Sequence, residues 1–136
     1  MEGLSHITFI VRNLDRMSRI LVDVLGAKEV YASGSRTFST APEKFFLAGG
    51  VWIAIMEGDS PVPRSYNHVA FKVSDGQLEQ ARLAIGQLGL EMRPPRPRVE
   101  GEGQSLYFYD HDNHLFELHT GTLDERLARY GAGMDG

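Results

Sequence analysis

Cysteine is absent from the 136 residues of this chain. That excludes disulfides, a protein thiolate nucleophile and thiolate metal ligation, and it makes a cytoplasmic setting the expectation. Any metal held here is held by nitrogen and oxygen donors. No apolar run approaches the roughly 20 residues that span a bilayer. The N-terminus lacks the charged-then-apolar pattern of a secretion signal, so no membrane partner is expected. No basic block stands out and the formal net charge is −4, which argues against nucleic acid as a partner. The length suits one domain, or two very small half-domains sharing a core. Only the tail 131–136 reads as disordered.

What is present is one short phrase written twice: Leu4-Ser5-His6-Ile7-Thr8-Phe9-Ile10-Val11, and Tyr66-Asn67-His68-Val69-Ala70-Phe71-Lys72-Val73. Each copy alternates like a strand and carries a histidine at the same place. After the first copy, Leu14, Met17, Ile20, Leu21, Val24 and Leu25 predict a helix at about 15–25, with Gly26 at its stop. Strands are expected at about 27–32, 36–40 and 50–57, and Pro42 makes 40–46 read as a loop. The run Val51 to Met56 is apolar enough for burial on both faces. The second copy leads into a helix at about 75–88 carrying Leu78, Ala81, Ile85 and Leu88. A strand at about 90–93, a proline-rich loop at 93–98 and a second loop at 99–103 follow. A hairpin then spans about 104–119. Thr122 and Glu125 form a capping-box signature for a last helix at about 123–130.

The fold class expected is therefore α+β, with two βαβββ modules. Module 1 covers about 3–58, a linker 59–65, module 2 about 66–121 and the C-terminal helix 122–130. Side by side, the modules would make a curved, mixed, eight-stranded sheet around a metal-containing cleft. Two chains exchanging modules would give a homodimer.

A metal site needs a third ligand beyond His6 and His68. Glu117 lies mid-strand between Phe116 and Leu118, where a carboxylate is costly unless it meets a charge or a metal. Two imidazoles and one carboxylate leave open coordination positions for water or substrate. The plainer reading is two half-buried histidines and a glutamate paired with arginine. His111 and His114 flank a tight turn and read as turn residues. His119 shares the parity of Glu117, as a ligand or a neighbour of one. Thr8, Tyr66, Ser105 and Tyr107 fall on the same faces, with Tyr109 beside them, and Arg96, Arg98 and Arg126 add positive charge. Hydroxyls, guanidiniums and a divalent metal suit a small phosphonate, phosphate or carboxylate. Trp52 reads most simply as core, or as a wall of the cleft. Glu43, between Pro42 and Phe45-Phe46, reads from the residues alone as an exposed loop charge. The alternative is a general base on a loop folding over the cleft, since a carboxylate against an apolar wall suits that role.

Four segments run together in order: Gly3-Leu4-Ser5-His6-Ile7-Thr8, Tyr66-Asn67-His68-Val69-Ala70-Phe71, Glu100-Gly101-Glu102-Gly103-Gln104-Ser105-Leu106-Tyr107-Phe108, and His114-Leu115-Phe116-Glu117-Leu118-His119. Over essentially the whole chain they resemble the fosfomycin-resistance enzymes of the vicinal-oxygen-chelate superfamily, most of all the epoxide-hydrolysing FosX type. The resemblance implies a module-exchanged homodimer acting on fosfomycin. It implies Mn(II), or another divalent metal, held by His6, His68 and Glu117. It places the hydrolase branch's general base on Glu43, against the residue-only reading. It places cleft and phosphonate contacts on Thr8, Trp52, Tyr66, Ser105, Tyr107 and Arg126, and a basic contact on Arg98 in preference to Arg96. Gly101 stands where the glutathione-using branch has a loop serine, so no K⁺ is expected. In the implied reaction the metal acts as Lewis acid and Glu43 activates water, giving a diol. Three other readings stay open: a thiol transferase on the same drug, an Fe(II) ring-cleaving dioxygenase, and a binding protein that sequesters the drug unchanged.

Overall fold

The computed structural model describes residues 1–36, 40–59, 62–94 and 100–134. Its order is β1 (His6–Val11), α1 (Leu14–Asp23), β2 (Lys28–Ala32), β3 (Glu43–Ala48) and β4 (Val51–Glu57), then β5 (His68–Lys72), α2 (Asp75–Gln87), β6 (Met92–Arg93), β7 (Ser105–Tyr109), β8 (Leu115–His119) and α3 (Leu123–Met134). The βαβββ pattern thus appears twice, followed by a helix. The strands form two four-stranded sheets, β1-β4-β3-β2 and β5-β8-β7-β6, not one hydrogen-bonded sheet of eight. In each, the first strand runs parallel to the fourth and the other pairings are antiparallel. The chain divides into two compact units: Met1–Arg64 with Asp110–His114, and Ser65–Tyr109 with Leu115–Gly136.

In the first unit, period-two alternation sends Phe9 and Val11 inward and leaves His6, Thr8 and Ile10 on the outer face. Helix α1, capped by Asn13, covers the inward face with Met17, Ile20 and Leu21. These meet a core of Phe46, Ile53 and Ile55, all fully buried. Each such side chain contributes about 1.5–3 kcal/mol by leaving water. Strand β4 is interior to the sheet, which explains its unbroken apolar run.

The third strand of this unit departs from expectation. It is β3 at Glu43–Ala48, inside the stretch that reads as a loop, and positions 37–39 of the expected strand 36–40 lie outside the described residues. Two local facts account for it. Gly49 and Gly50, with φ of 54° and 80°, make a two-residue turn that pairs Ala48 with Val51, the geometry a tight hairpin demands. Pro42 stands just before the strand, where its missing N–H costs no ladder bond.

The turn Asp110–His114 is held by buried carboxylates. Asp110 Oδ1 accepts from the backbone N–H groups of Asp112 and His114. Asp112 Oδ1 accepts from Arg12 Nε at 2.9 Å and from Arg12 N at 3.2 Å. Partial burial, then the Arg16 charge, lower the His111 pKa below 6.5, with Arg12 adding to this and Asp110 and Asp112 opposing it. The folded state therefore binds this proton more weakly than the unfolded chain. The stabilisation is present above pH 6.5 and is lost as pH falls through the lowered value. Thermal melts between about pH 7.5 and 5.5 are expected to show a steeper acid-side loss for the parent chain than for His111→Gln. Parallel profiles would rule this contribution out.

In the second unit, Ser74 and Gln77 close a reciprocal capping box on α2, whose Leu78, Ala81 and Ile85 are buried. Phe108 and Phe116 stack at 5.4 Å in the same core. Strand β6 is only Met92–Arg93, shorter than the expected 90–93, because Leu90 turns inward to a buried position and Pro94 ends the ladder. Thr122 caps α3 by accepting from Glu125 N. The helix continues to Met134, past the expected end at 130 and into the segment that reads as disordered. Gly131 and Gly133 each cost about 1 kcal/mol in a helix interior, which weakens a helix without breaking it. Among the described residues no helix is long and apolar enough to cross a membrane.

Candidate metal and catalytic site

Glu117 is 5% exposed and faces Ala70 on β5 and Tyr107 on β7. His68 opens β5 on the same face, and its Nε2 lies 3.0 Å from Glu117 Oε1. The other ring nitrogen, Nδ1, lies 2.7 Å from the Tyr66 carbonyl oxygen. A carbonyl only accepts, so Nδ1 carries the hydrogen, and in neutral imidazole the Nε2 lone pair then points at a carboxylate lone pair. At 3.0 Å the pair closes either on a proton, as an imidazolium donating to the carboxylate, or on a metal cation bound by both atoms. Fixing one ring nitrogen on a carbonyl is also how metal-ligating histidines are oriented. The donor set, imidazole nitrogen and carboxylate oxygen, fits a divalent ion of the Mn(II) kind.

A directional chain of hydrogen bonds backs this pair. Ser105 Oγ donates to Glu117 Oε2 and lies 2.7 Å from His119 Nδ1. Arg126 Nη2 lies 3.3 Å from His119 Nε2. With His119 neutral and Nδ1 protonated, the donors run Arg126 to His119 to Ser105 to Glu117. His119 is thus a neighbour of the carboxylate through Ser105. Tyr66 donates to the Tyr107 hydroxyl at 3.1 Å, and its ring lies 4.8 Å from that of His68.

Sequence reasoning missed Arg93. Its guanidinium lies 4.9 Å from the centroid of the Tyr66 ring, and Nη1 donates to Tyr109 Oη at 3.2 Å. The cue was parity, since Arg93 pairs with Tyr107 across β6–β7 and so shares the site face. Arg98, the basic contact expected from the resemblance, lies outside the described residues, as does Arg96.

In the first unit, three rows cross the face opposite α1: His6–Trp52–Leu47, Thr8–Ala54–Phe45 and Ile10–Met56–Glu43. His6 stacks on Trp52 with ring centroids 4.1 Å apart. Trp52 Nε1 is buried without a hydrogen-bond partner, a donor held ready for an acceptor. Thr8 is exposed beside them. Glu43 is not an exposed loop charge: it is 9% exposed and opens β3, with its N–H donating to Ser33 Oγ and its carbonyl accepting from Ser33 N. It also lines a pocket of about 440 Å³ with Arg12, Ser33, Lys44 and Glu57. Lys44 points to the other face of β3 and pairs with Glu29 at 3.0 Å and Asp15 at 3.3 Å. Burial pulls the Lys44 pKa down, but the hydrogen bonds and charges of these two carboxylates outweigh it and the net direction is up.

Register makes the two modules comparable. Thr8 faces Ala54 where, in the second module, Ala70 faces Glu117. The repeat therefore offers two histidines but one carboxylate, because Ala54 fills the counterpart position. Glu43 is the counterpart of Ser105, each opening the third strand of its module. The structure brings His68, Glu117, Ser105, His119, Arg126, Tyr66 and Tyr107 together in the second unit, and sets His6, Thr8, Trp52 and Glu43 on one sheet face of the first. Among the described residues no three His, Asp or Glu side chains gather within the chain to hold a metal.

Residues 3–118 match the family model of the Glyoxalase/Bleomycin resistance protein/Dioxygenase superfamily. The chain is 62% identical over 135 residues to the fosfomycin resistance protein FosX of Mesorhizobium japonicum, covering 99% of this chain and 97% of that one. It is 55% identical over 130 residues to the FosX of Listeria monocytogenes, covering 96% and 98%. A crystal structure of a variant of the Listeria monocytogenes protein, complexed with Mn(II) and 1S,2S-dihydroxypropylphosphonic acid, superposes with a TM-score of 0.87 at 54% identity, covering 95% of this chain and 99% of that chain.

Proposed function

Because the chain belongs to the glyoxalase/bleomycin resistance protein/dioxygenase superfamily, we propose that its site performs Mn(II)-dependent hydrolysis of the epoxide of fosfomycin to a diol, inactivating the antibiotic. The observation that carries this reading is the His68 Nε2–Glu117 Oε1 pair, two potential ligand atoms 3.0 Å apart, with the other ring nitrogen turned to the Tyr66 carbonyl. The similarity to a protein crystallised with Mn(II) and the diol phosphonate supports the choice of metal and product.

His6, His68 and Glu117 hold the metal. Bound there, Mn(II) supplies Lewis acidity that stabilises the charge developing on the epoxide oxygen as the ring opens. Glu43 takes a proton from a water, and the water oxygen bonds to an epoxide carbon as that carbon's bond to oxygen breaks. The opened epoxide oxygen takes up one proton and Glu43 gives up the one it gained, so one water is consumed and a vicinal diol leaves. Thr8, Tyr66, Ser105, Tyr107 and the Trp52 N–H surround the substrate, and the cations Arg126 and Arg98 bind its phosphonate. Holding water and epoxide in register accounts for a large share of the rate. The ligands come from both modules, and we assign them to a module-exchanged homodimer in which His6 of one copy meets His68 and Glu117 of the other. No step needs a protein thiol, and a chain without cysteine has no disulfide tying it to an oxidising compartment, so we place it in the cytoplasm.

Phosphorus NMR of fosfomycin incubated with the protein and Mn(II), without added thiol, is expected to show the epoxide resonance replaced by that of the diol. An unchanged spectrum that turns over only on adding glutathione or cysteine would identify a thiol transferase instead.

A further inference from the structure

Among the described residues of the second unit, Glu102 is the one acidic side chain with no measurable exposure, 0%, and no step of the proposed reaction uses it. Its burial is built by backbone contact. Gly103 has φ +90°, and a Cβ there would lie 2.6 Å from Gly121 N. A Cβ at Gly121 would lie 2.5 Å from the Glu102 carbonyl oxygen and 2.7 Å from His119 Nε2. Only glycine at both places lets the loop close on the end of β8. Gln104 N donates to Thr120 Oγ1 at 2.9 Å, and Thr120 N to the Gln104 carbonyl at 3.0 Å, which pins the loop there. The carboxylate is thereby driven under α3. Its Oε1 accepts from the Tyr130 hydroxyl and lies 3.7 Å from Arg126 Nε.

An ion withdrawn from water this completely is costly unless its partners are good. Both of these partners sit one helical turn apart on α3, and one of them, Arg126, reaches onward to His119 at 3.3 Å. The guanidinium thus has the Glu102 carboxylate at ion-pair distance from Nε, longer than a hydrogen bond, and His119 at Nη2, while 31% of the side chain stays exposed. Arginine offers five N–H donors in a rigid fork, so a side chain oriented at two of them retains others for an anion. We propose that Glu102 is a positioning residue: it holds the Arg126 guanidinium in place for the substrate's phosphonate and is linked to Glu117 through Arg126, His119 and Ser105. This rests on the reading of Arg126 as a phosphonate contact given above.

A double-mutant cycle on the Mn(II)-loaded protein tests it, with kcat and KM for fosfomycin and Mn(II) affinity measured for each variant. Glu102→Gln is expected to raise KM roughly tenfold with a much smaller change in kcat and none in Mn(II) affinity. Arg126→Ala is expected to raise KM more, and adding Glu102→Gln to it is expected to change KM little further, because the residue it positioned is gone. Tyr130→Phe, which keeps the carboxylate and removes one donor to it, should shift KM in the same direction by less. If Glu102→Gln fails to fold, Tyr130→Phe carries the cycle with Arg126→Ala in its place. Additive KM effects, or an unchanged KM in the folded Glu102 or Tyr130 variants while Arg126→Ala raises it, overturn the positioning role and leave the proposed function standing. An unchanged KM in Arg126→Ala overturns the phosphonate assignment and this inference with it.

Discussion

Glu43→Gln is expected to abolish conversion of fosfomycin to its diol, by about 10²–10⁴-fold in kcat, while leaving Mn(II) affinity unchanged. Glutamine keeps the shape and hydrogen-bonding reach of the side chain but cannot take a proton at neutral pH. The Ser33 bonds that seat Glu43 are to its backbone, so they survive the substitution. Metal affinity is spared because Glu43 stands in the Ile10–Met56 row while His6 stands in the Trp52 row, two rows along the same face. Steady-state hydrolysis read by phosphorus NMR, beside Mn(II) titration read by electron paramagnetic resonance, separates the two effects. Full activity would remove Glu43 as the base. Joint loss of activity and Mn(II) binding would make it a ligand.

Mixing two inactive variants is expected to restore activity. His6→Ala and Glu117→Ala each remove a proposed ligand, and each alone should lose Mn(II) binding and hydrolysis. In a module-exchanged homodimer, a mixed dimer of the two carries one site with both lesions and one with neither. Statistical reassortment by refolding or co-expression then returns about a quarter of parental activity, half the dimers each having one of two sites intact. A site assembled within each chain returns none. Refolding each variant alone controls for recovery. Glu117→Ala also leaves His68 and Ser105 without their shared carboxylate, so its melting temperature should fall further than that of His6→Ala, whose ring stacks on Trp52 at the exposed face.

Some of this site was legible in one dimension because it depends on alternation. A strand inverts its side chains at every residue, so His6 with Thr8, and Ser105 with Tyr107, are placed on common faces by counting. Glu117 stood out for a related reason, as a charge flanked by Phe116 and Leu118 in a strand buried from Leu115 to Leu118. The Leu78, Ala81 and Ile85 stripe marked the buried side of α2 in the same way. The misreading of β3 shows the limit. Pro42 and the charged pair Glu43-Lys44 mask a strand that is secured by its partner β4 and by the Gly49-Gly50 turn. With the strand misplaced, Glu43 reads as a loop charge, whereas it is the first-module counterpart of Ser105.

The sequence by itself determined the repeated module, the two histidines, the lone carboxylate and the family, because periodicity and local motifs are written in order along the chain. The tertiary structure decided what those residues do to one another. Register across β5, β8 and β7 sets His68 against Glu117 and Ser105 beneath it, and puts Ala54 where a second carboxylate would stand. Close backbone contact between Gly103 and Gly121 buries Glu102 against Arg126 and Tyr130. Neither could be counted from the chain, since register and burial follow from which strands pair and how tightly two loops meet, and those depend on residues far apart in sequence.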